Sequence, residues 1–184
     1  MNIGFRVDSS YKIGTGHIHR CLNLAKEFKK KKRKCFFFTK NFPGNVNNLI
    51  GKNFKVTNIP YDYTKKKINS NEQNILDANY TIKFIKKFKI KLIFLDHYQI
   101  NNLWEKNVSR YCDLVLISDI LNRKTNCKFL INFNTLYEDK KDLKMISSNS
   151  CKRLIGPDYS IIKKNNFKIN KKIKKKIIVF MGGI

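Results

Sequence analysis

The chain has 184 residues, enough for one well-buried domain and too few for two of ordinary size. Its 39 Lys and Arg against 13 Asp and Glu give a formal net charge of +26, which raises nucleic acid or an anionic membrane as a partner. The kind of cation argues against nucleic acid: arginine, the better residue for bidentate phosphate and base-edge contacts, stands only at Arg6, Arg20, Arg33, Arg110, Arg123 and Arg153. The lysines come with abundant Ile, Asn and Phe, a composition that an A·T-rich coding bias also produces.

Asn2–Val7 reads as a strand that opens the chain directly and leaves no room for a signal peptide. No apolar run approaches the roughly 18 residues that span a bilayer, so a soluble, cytoplasmic protein is expected. The five cysteines, Cys21, Cys35, Cys112, Cys127 and Cys151, form no C-x-x-C pair and no metal-ligand spacing with the histidines. They read as reduced thiols, mostly packing residues.

The loop after the first strand, Ile13-Gly14-Thr15-Gly16-His17-Ile18-His19-Arg20, carries the strongest signal. Gly14 and Gly16 permit positive φ and a close approach of backbone to ligand. The helix that follows points free N–H groups and a positive dipole into the same space, which suits an anion or a sugar hydroxyl. The dinucleotide fingerprint is incomplete, because His19 stands where the third glycine should fall, and no G-K-[ST] follows. Neither a nicotinamide nor a P-loop is expected, and His17 and His19, two apart, point to different helix faces and cannot share a metal. No cofactor is called for. A helix N-terminus disfavours the imidazolium form, which suits His17 to general-base work, the alternative being a simple cap.

The helix runs from about His17 to Lys30, with Ile18, Cys21, Leu22, Ala25 and Phe28 at spacings of three and four. The cationic run Lys29–Lys34 resembles a nucleic-acid patch, but its position between a helix and a strand reads as a solvated turn. Strands are expected at Lys34–Thr39, Phe54–Ile59, Lys91–Leu95, Asp113–Ile117 and Phe129–Ile131. Helices are expected near Val46–Gly51, from Glu72 to Phe88 with Ile75, Ala78, Ile82 and Ile85 on the inner stripe, and near Asn101–Tyr111. This alternation is that of a parallel sheet covered on both faces, a Rossmann-like α/β fold. After the charged linker Lys171–Lys176 comes the apolar run 177–180 and Met181-Gly182-Gly183, which reads as the first strand of a second domain.

In open parallel sheets ligands bind beyond the carboxyl ends of the strands. The first strand exits into Asp8-Ser9-Ser10, the fourth into Asp96-His97-Tyr98, the fifth into Ser118-Asp119 and the sixth into Asn132-Phe133-Asn134. Asp8 can orient His17, bind a hydroxyl, or close an Asx turn with Ser9 and Ser10. His97 reads as a core or orienting histidine, and the phenol of Tyr98 as a sugar contact.

Together these residues resemble a known family, the nucleotide-sugar hydrolases of pseudaminic acid biosynthesis that remove UDP from a 2,4-diacetamido-2,4,6-trideoxy-altropyranose. The resemblance is carried by Phe5-Arg6 with Asp8-Ser9-Ser10, Ile13-Gly14-x-Gly16-His17-Ile18 with Arg20, and Leu24-Ala25. It continues through Asp96-His97-Tyr98, Ser118-Asp119, Asn132 with Asn134, Gly156 with Tyr159, and Met181-Gly182-Gly183. It implies the N-terminal domain of a glycosyltransferase-B type architecture, with residues 1–170 as the sugar-binding domain and 171–184 as linker and first strand of a truncated nucleotide-binding domain. It also implies His17 as the catalytic base and Arg6, Asp8, Ser10, Gly14, Gly16 and Tyr98 as substrate-binding residues. The implied partners are a UDP-sugar and a separate chain carrying the C-terminal half, and activity of this chain alone is not expected. Rival readings are a glycosyltransferase of the same architecture and a basic module for nucleic acid or another polyanion.

Overall fold

The computed structural model describes residues 1–61, 70–120, 123–133 and 150–162. Asn134, the linker Lys171–Lys176, the run 177–180 and Met181–Gly183 lie outside the described residues. The elements in chain order are β1 (Asn2–Val7), α1 (Gly16–Lys30), β2 (Lys34–Thr39), α2 (Asn47–Gly51), β3 (Lys55–Asn58), α3 (Ser70–Lys87) and β4 (Ile90–Asp96). There follow α4 (Asn102–Val108), β5 (Asp113–Ile117), β6 (Phe129–Asn132), β7 (Lys152–Ile155) and a short 3-10 turn at Pro157–Tyr159.

The seven strands form one sheet in the order β3-β2-β1-β4-β5-β6-β7, and every neighbouring pair is parallel. The strand order reverses between β1 and β4, and the crevice beyond the carboxyl ends of those two strands is where such sheets bind ligands. The six expected strands are present to within one residue at each end. The seventh, β7, was not expected: it begins with Lys152 and Arg153, and four residues led by two charges give no apolar run.

The sheet is buried on both faces, so its strands are apolar on both sides. On one face Ile3, Phe5, Val7, Phe37, Phe94 and Val115 pack under Ile18, Leu22 and Ala25 of α1. Phe5 stacks on Phe37 and on Phe94, with centroids 4.8 and 5.0 Å apart, which fixes β2, β1 and β4 side by side. On the other face Phe38, Ile93, Leu95 and Leu116 pack under α3 and α4, with Trp104 wholly buried. Gly4 lies on this second face because a Cβ there would meet the Phe38 ring at 3.0 Å.

Of the expected stripe, helix α3 buries Ala78 and Ile85 and packs Ile82 against the core, but leaves Ile75 outside. Its inner residues are Asn74, Asp77, Ala78, Thr81 and Ile85, while Ile75 is 41% exposed. The helix is rotated because Asp77 must meet a cation in the sheet, and one buried ion pair outranks a weak apolar period.

Candidate functional site

Two ionic clusters stand side by side at the carboxyl edge of β1 and β4. The deeper one is built on Arg6, which alternation along β1 sends to the α3 face, where its guanidinium is completely buried. All five of its N–H groups are used. Nε donates to Asp77 Oδ1 at 2.9 Å, NH2 to Asp77 Oδ2 at 2.6 Å and Asp8 Oδ2 at 2.8 Å, and NH1 to Asp8 Oδ1 at 2.7 Å and the Phe38 carbonyl at 3.3 Å. Asp77 also accepts from Trp104 Nε1 at 2.9 Å and pairs with Lys40 Nζ at 2.8 Å. Asp8 also accepts from the Lys40 amide at 2.7 Å and from His97 Nε2 at 3.0 Å.

Two cations and two carboxylates therefore balance. Burial alone would raise both carboxyls, but Arg6 outweighs it, holding Asp77 down to about 2 and Asp8 well below the usual carboxylate range. His97 belongs to this cluster as a neutral ring. The Gln99 amide donates to its Nδ1 at 3.0 Å, which makes Nδ1 an acceptor and leaves Nε2–H to donate to Asp8. Burial, the dominant influence, pushes its protonation below the ordinary histidine range.

The shallower cluster is built on α1. His17 and Arg20, three apart, share one face of the helix, while His19 is on another face and exposed. His17 Nδ1 lies 2.6 Å from Asp96 Oδ1 at the end of β4. Arg20 donates from Nε and NH2 to the two Asp96 oxygens, both at 2.7 Å, and from NH1 to Asp119 at 3.1 Å. Burial would raise the Asp96 carboxyl, but the hydrogen bonds from His17 and Arg20 keep it below the usual range, so it accepts only. We therefore assign the imidazole proton to Nδ1, although Arg20 NH2 also lies 3.0 Å from that atom, because both donors converge on the same oxygen. Nε2 is left as an acceptor, and it takes no hydrogen bond among the described residues. With His17 neutral, one guanidinium faces two carboxylates, so a proton arriving at His17 brings the cluster to neutrality.

Tyr98 presents its ring edge-on to His17, with centroids 4.6 Å apart at 80°, and its hydroxyl donates to Asp119 Oδ2 at 3.1 Å. Tyr98 is 56% exposed. The chain enters α1 through a loop closed by Ser10, whose Oγ accepts from Lys12 and Ile13 amides and whose carbonyl accepts from Gly14 N at 2.8 Å. Gly14 has φ +77, as only glycine does easily. Thr15 makes no side-chain cap and the first turn of α1 holds no acid, so its N–H groups face the cleft side without a local anion.

Several expectations need correction. Asp8 does not orient His17; Asp96 does. Arg6 and Asp8, expected to bind substrate, have their side chains fully buried and hydrogen-bonded to each other. Ser10, not Asp8, closes the turn. Gly16 is helical, not at positive φ; a Cβ there would meet nothing within 4 Å, so it leaves open space above the helix start. Asp77, Asp96 and Arg20 are the residues that reading the chain for site groups undervalued. An aspartate ending a buried apolar strand was the available signal for Asp96, whereas nothing local marks Asp77.

No family model matches the chain. It is 27% identical over its whole length to the UDP-2,4-diacetamido-2,4,6-trideoxy-beta-L-altropyranose hydrolase of Campylobacter jejuni, of which it spans 61%. It is 25% identical to an uncharacterized protein of Methanocaldococcus jannaschii, of which it spans 37%. Among solved structures, MurG of Acinetobacter baumannii superposes with a TM-score of 0.52 over 72% of this chain and 41% of that one, at 11% identity. A glycosyltransferase from Rickettsia africae superposes with a TM-score of 0.55 over 84% of this chain and 42% of that one, also at 11% identity. The resemblance to the hydrolases thus extends over the full chain, and the fold is the Rossmann-like domain of the glycosyltransferase-B architecture.

Proposed function

We propose that this chain carries the sugar-binding and base-bearing half of a UDP-sugar hydrolase, releasing UDP from a 2,4-diacetamido-2,4,6-trideoxy hexose by attack of water at the anomeric carbon. The observation that carries this reading is the His17–Asp96 pair at 2.6 Å, which turns Nε2 of His17 toward proton acceptance at the topological switch point. Similarity to the hydrolase along the whole chain supports the substrate class. In the reaction, a water oxygen bonds to the anomeric carbon as the bond from that carbon to the diphosphate oxygen breaks. Its proton passes to His17 Nε2, the bonding electrons leave with UDP, and the configuration inverts. Asp96 and Asp119 stabilise the imidazolium that forms, and Tyr98 contacts the sugar. A diphosphate already leaves readily, so the general acid of ordinary glycoside hydrolysis is not required.

A base of this kind contributes about 10²–10⁴ in rate. The remainder comes from positioning and from positive charge on the departing diphosphate, to which the N-terminus of α1 is suited. Since the chain spans 61% of the hydrolase, the uridine site and the rest of the diphosphate site are assigned to residues outside it, on the same or a separate polypeptide. UDP release is measured with the complementary half supplied: His17→Ala should lose most of the rate, and unchanged release would overturn the mechanism.

A transferase of the same architecture is the second reading, because the same Nε2 can take the proton of a sugar hydroxyl. UDP release that requires an added acceptor would establish it; release in water alone supports the hydrolase.

A further inference from the structure

The distribution of the positive charge is not accounted for by the site. In a parallel sheet all strand starts and all covering-helix ends lie at one edge, here the edge opposite the cleft. That edge collects the exposed run Lys29–Lys34, Lys52 and Lys55 around the start of β3, the α3–β4 turn with Lys86, Lys87, Lys89 and Lys91, then Arg110, Lys128 and Lys152. Among the described residues its acids are Glu27 and Asp113, each in an exposed pair with one lysine. Among the described residues the cleft edge pairs Arg6, Arg20, Lys40 and Arg123 with acids and leaves Lys12 and Lys124 exposed. Helix dipoles account for the last-turn lysines of α1 and α3, but not for the strand starts and turns.

We propose that this edge is a docking face for an anionic phospholipid surface, holding the cleft away from the bilayer. The cations are chiefly lysines, whose hydrated point charges suit a diffuse anionic surface better than the bidentate phosphate contacts that favour arginine. They span the sheet from β3 to β7, six strand spacings or about 29 Å, a broad face instead of a groove that tracks one backbone. The aromatic rings at this edge lie under lysines: Lys55 sits 5.0 Å and Lys87 5.7 Å from the Phe88 centroid, and Lys29 5.6 Å from that of Phe54. Rings covered in this way do not offer the stacking platforms by which proteins hold single-stranded nucleic acid.

The test is co-sedimentation of the purified chain with phosphatidylcholine vesicles with and without phosphatidylglycerol. Binding should require phosphatidylglycerol. Each lysine near the surface is worth about a fivefold change in partition, so Lys31→Gln with Lys91→Gln should weaken binding about 25-fold. The matched pair Lys12→Gln with Lys124→Gln, at the cleft edge, should change it less than about threefold, since charges beyond a Debye length are screened. Trp104 fluorescence checks that both pairs remain folded. Equal loss in the two pairs, or equal binding to neutral vesicles, overturns the proposal. Displacement from the vesicles by duplex DNA at equal phosphate concentration also overturns it and assigns the face to nucleic acid.

Discussion

Replacing Asp77 by Asn removes one charge from a cluster in which every donor is already committed. The carboxylate takes two bonds from Arg6, one from Trp104 and one from Lys40. An amide in its place must turn its NH2 either toward Arg6 Nε and Trp104 or toward Arg6 NH2 and Lys40, so donors face donors whichever way it lies. The buried Arg6 and the half-buried Lys40 are then left with Asp8 as the remaining carboxylate of the cluster. Breaking a buried pair in this way costs about 3–5 kcal/mol, a large part of the roughly 5–15 kcal/mol that holds a domain together. The wild-type pH dependence carries the same information. Asp77 titrates at about 2 in the folded chain against 3.8 in the reference state. Its contribution, roughly 2 kcal/mol, is present above pH 4 and is lost as pH falls toward 2. Urea denaturation read by fluorescence suits the measurement, because the chain has one tryptophan and Trp104 is itself bonded to Asp77. Asp77→Asn should lower stability by about 3–5 kcal/mol at pH 7 and flatten the acid limb. A loss under about 1 kcal/mol with an unchanged acid limb would refute the reasoning.

Asp96→Asn should lower UDP release by about 10²–10⁴, because an amide no longer fixes the Nδ1–H form of His17, with little change in KM. Tyr98→Phe keeps the ring against His17 but removes the bond to Asp119; the loss should fall mainly on KM, measured by steady-state kinetics. His97 is neutral and hydrogen-bonded at both nitrogens, with its protonation pushed below the ordinary range. It therefore stabilises the fold above about pH 6.5, an advantage lost as pH falls through its folded value; His97→Gln should reduce that slope in pH-dependent melts.

The fold was largely legible because most of the six strands are short, mainly apolar runs between turn residues, and such runs read as buried parallel strands whatever their partners. Strand β7 was not, since Lys152 and Arg153 occupy its start and only register against β6 makes it a strand. The candidate site was legible at its rim: Tyr98 and Asp119 follow strand ends and His17 stands in the first turn of α1, and the rule for parallel sheets locates that edge. It was illegible at depth. Arg6 meets Asp77 across 71 positions, and a pairing of that separation leaves no local period or motif. The same pairing explains why α3 turns Asp77 inward and leaves Ile75, expected on the inner stripe, exposed. Of the open alternatives for Asp8, orienting His17 is the one the structure gives to Asp96, because Arg6 holds Asp8 on the other face of the sheet.

The central claim is that His17 delivers water to the anomeric carbon. The most direct measurement is turnover of the UDP-sugar in water labelled with heavy oxygen, with the complementary half present, followed by mass analysis of both products. The label should appear in the free sugar and not in UDP, and its incorporation should fall by about 10²–10⁴ in His17→Ala. Label recovered in UDP would mean attack at phosphorus and would contradict the assignment.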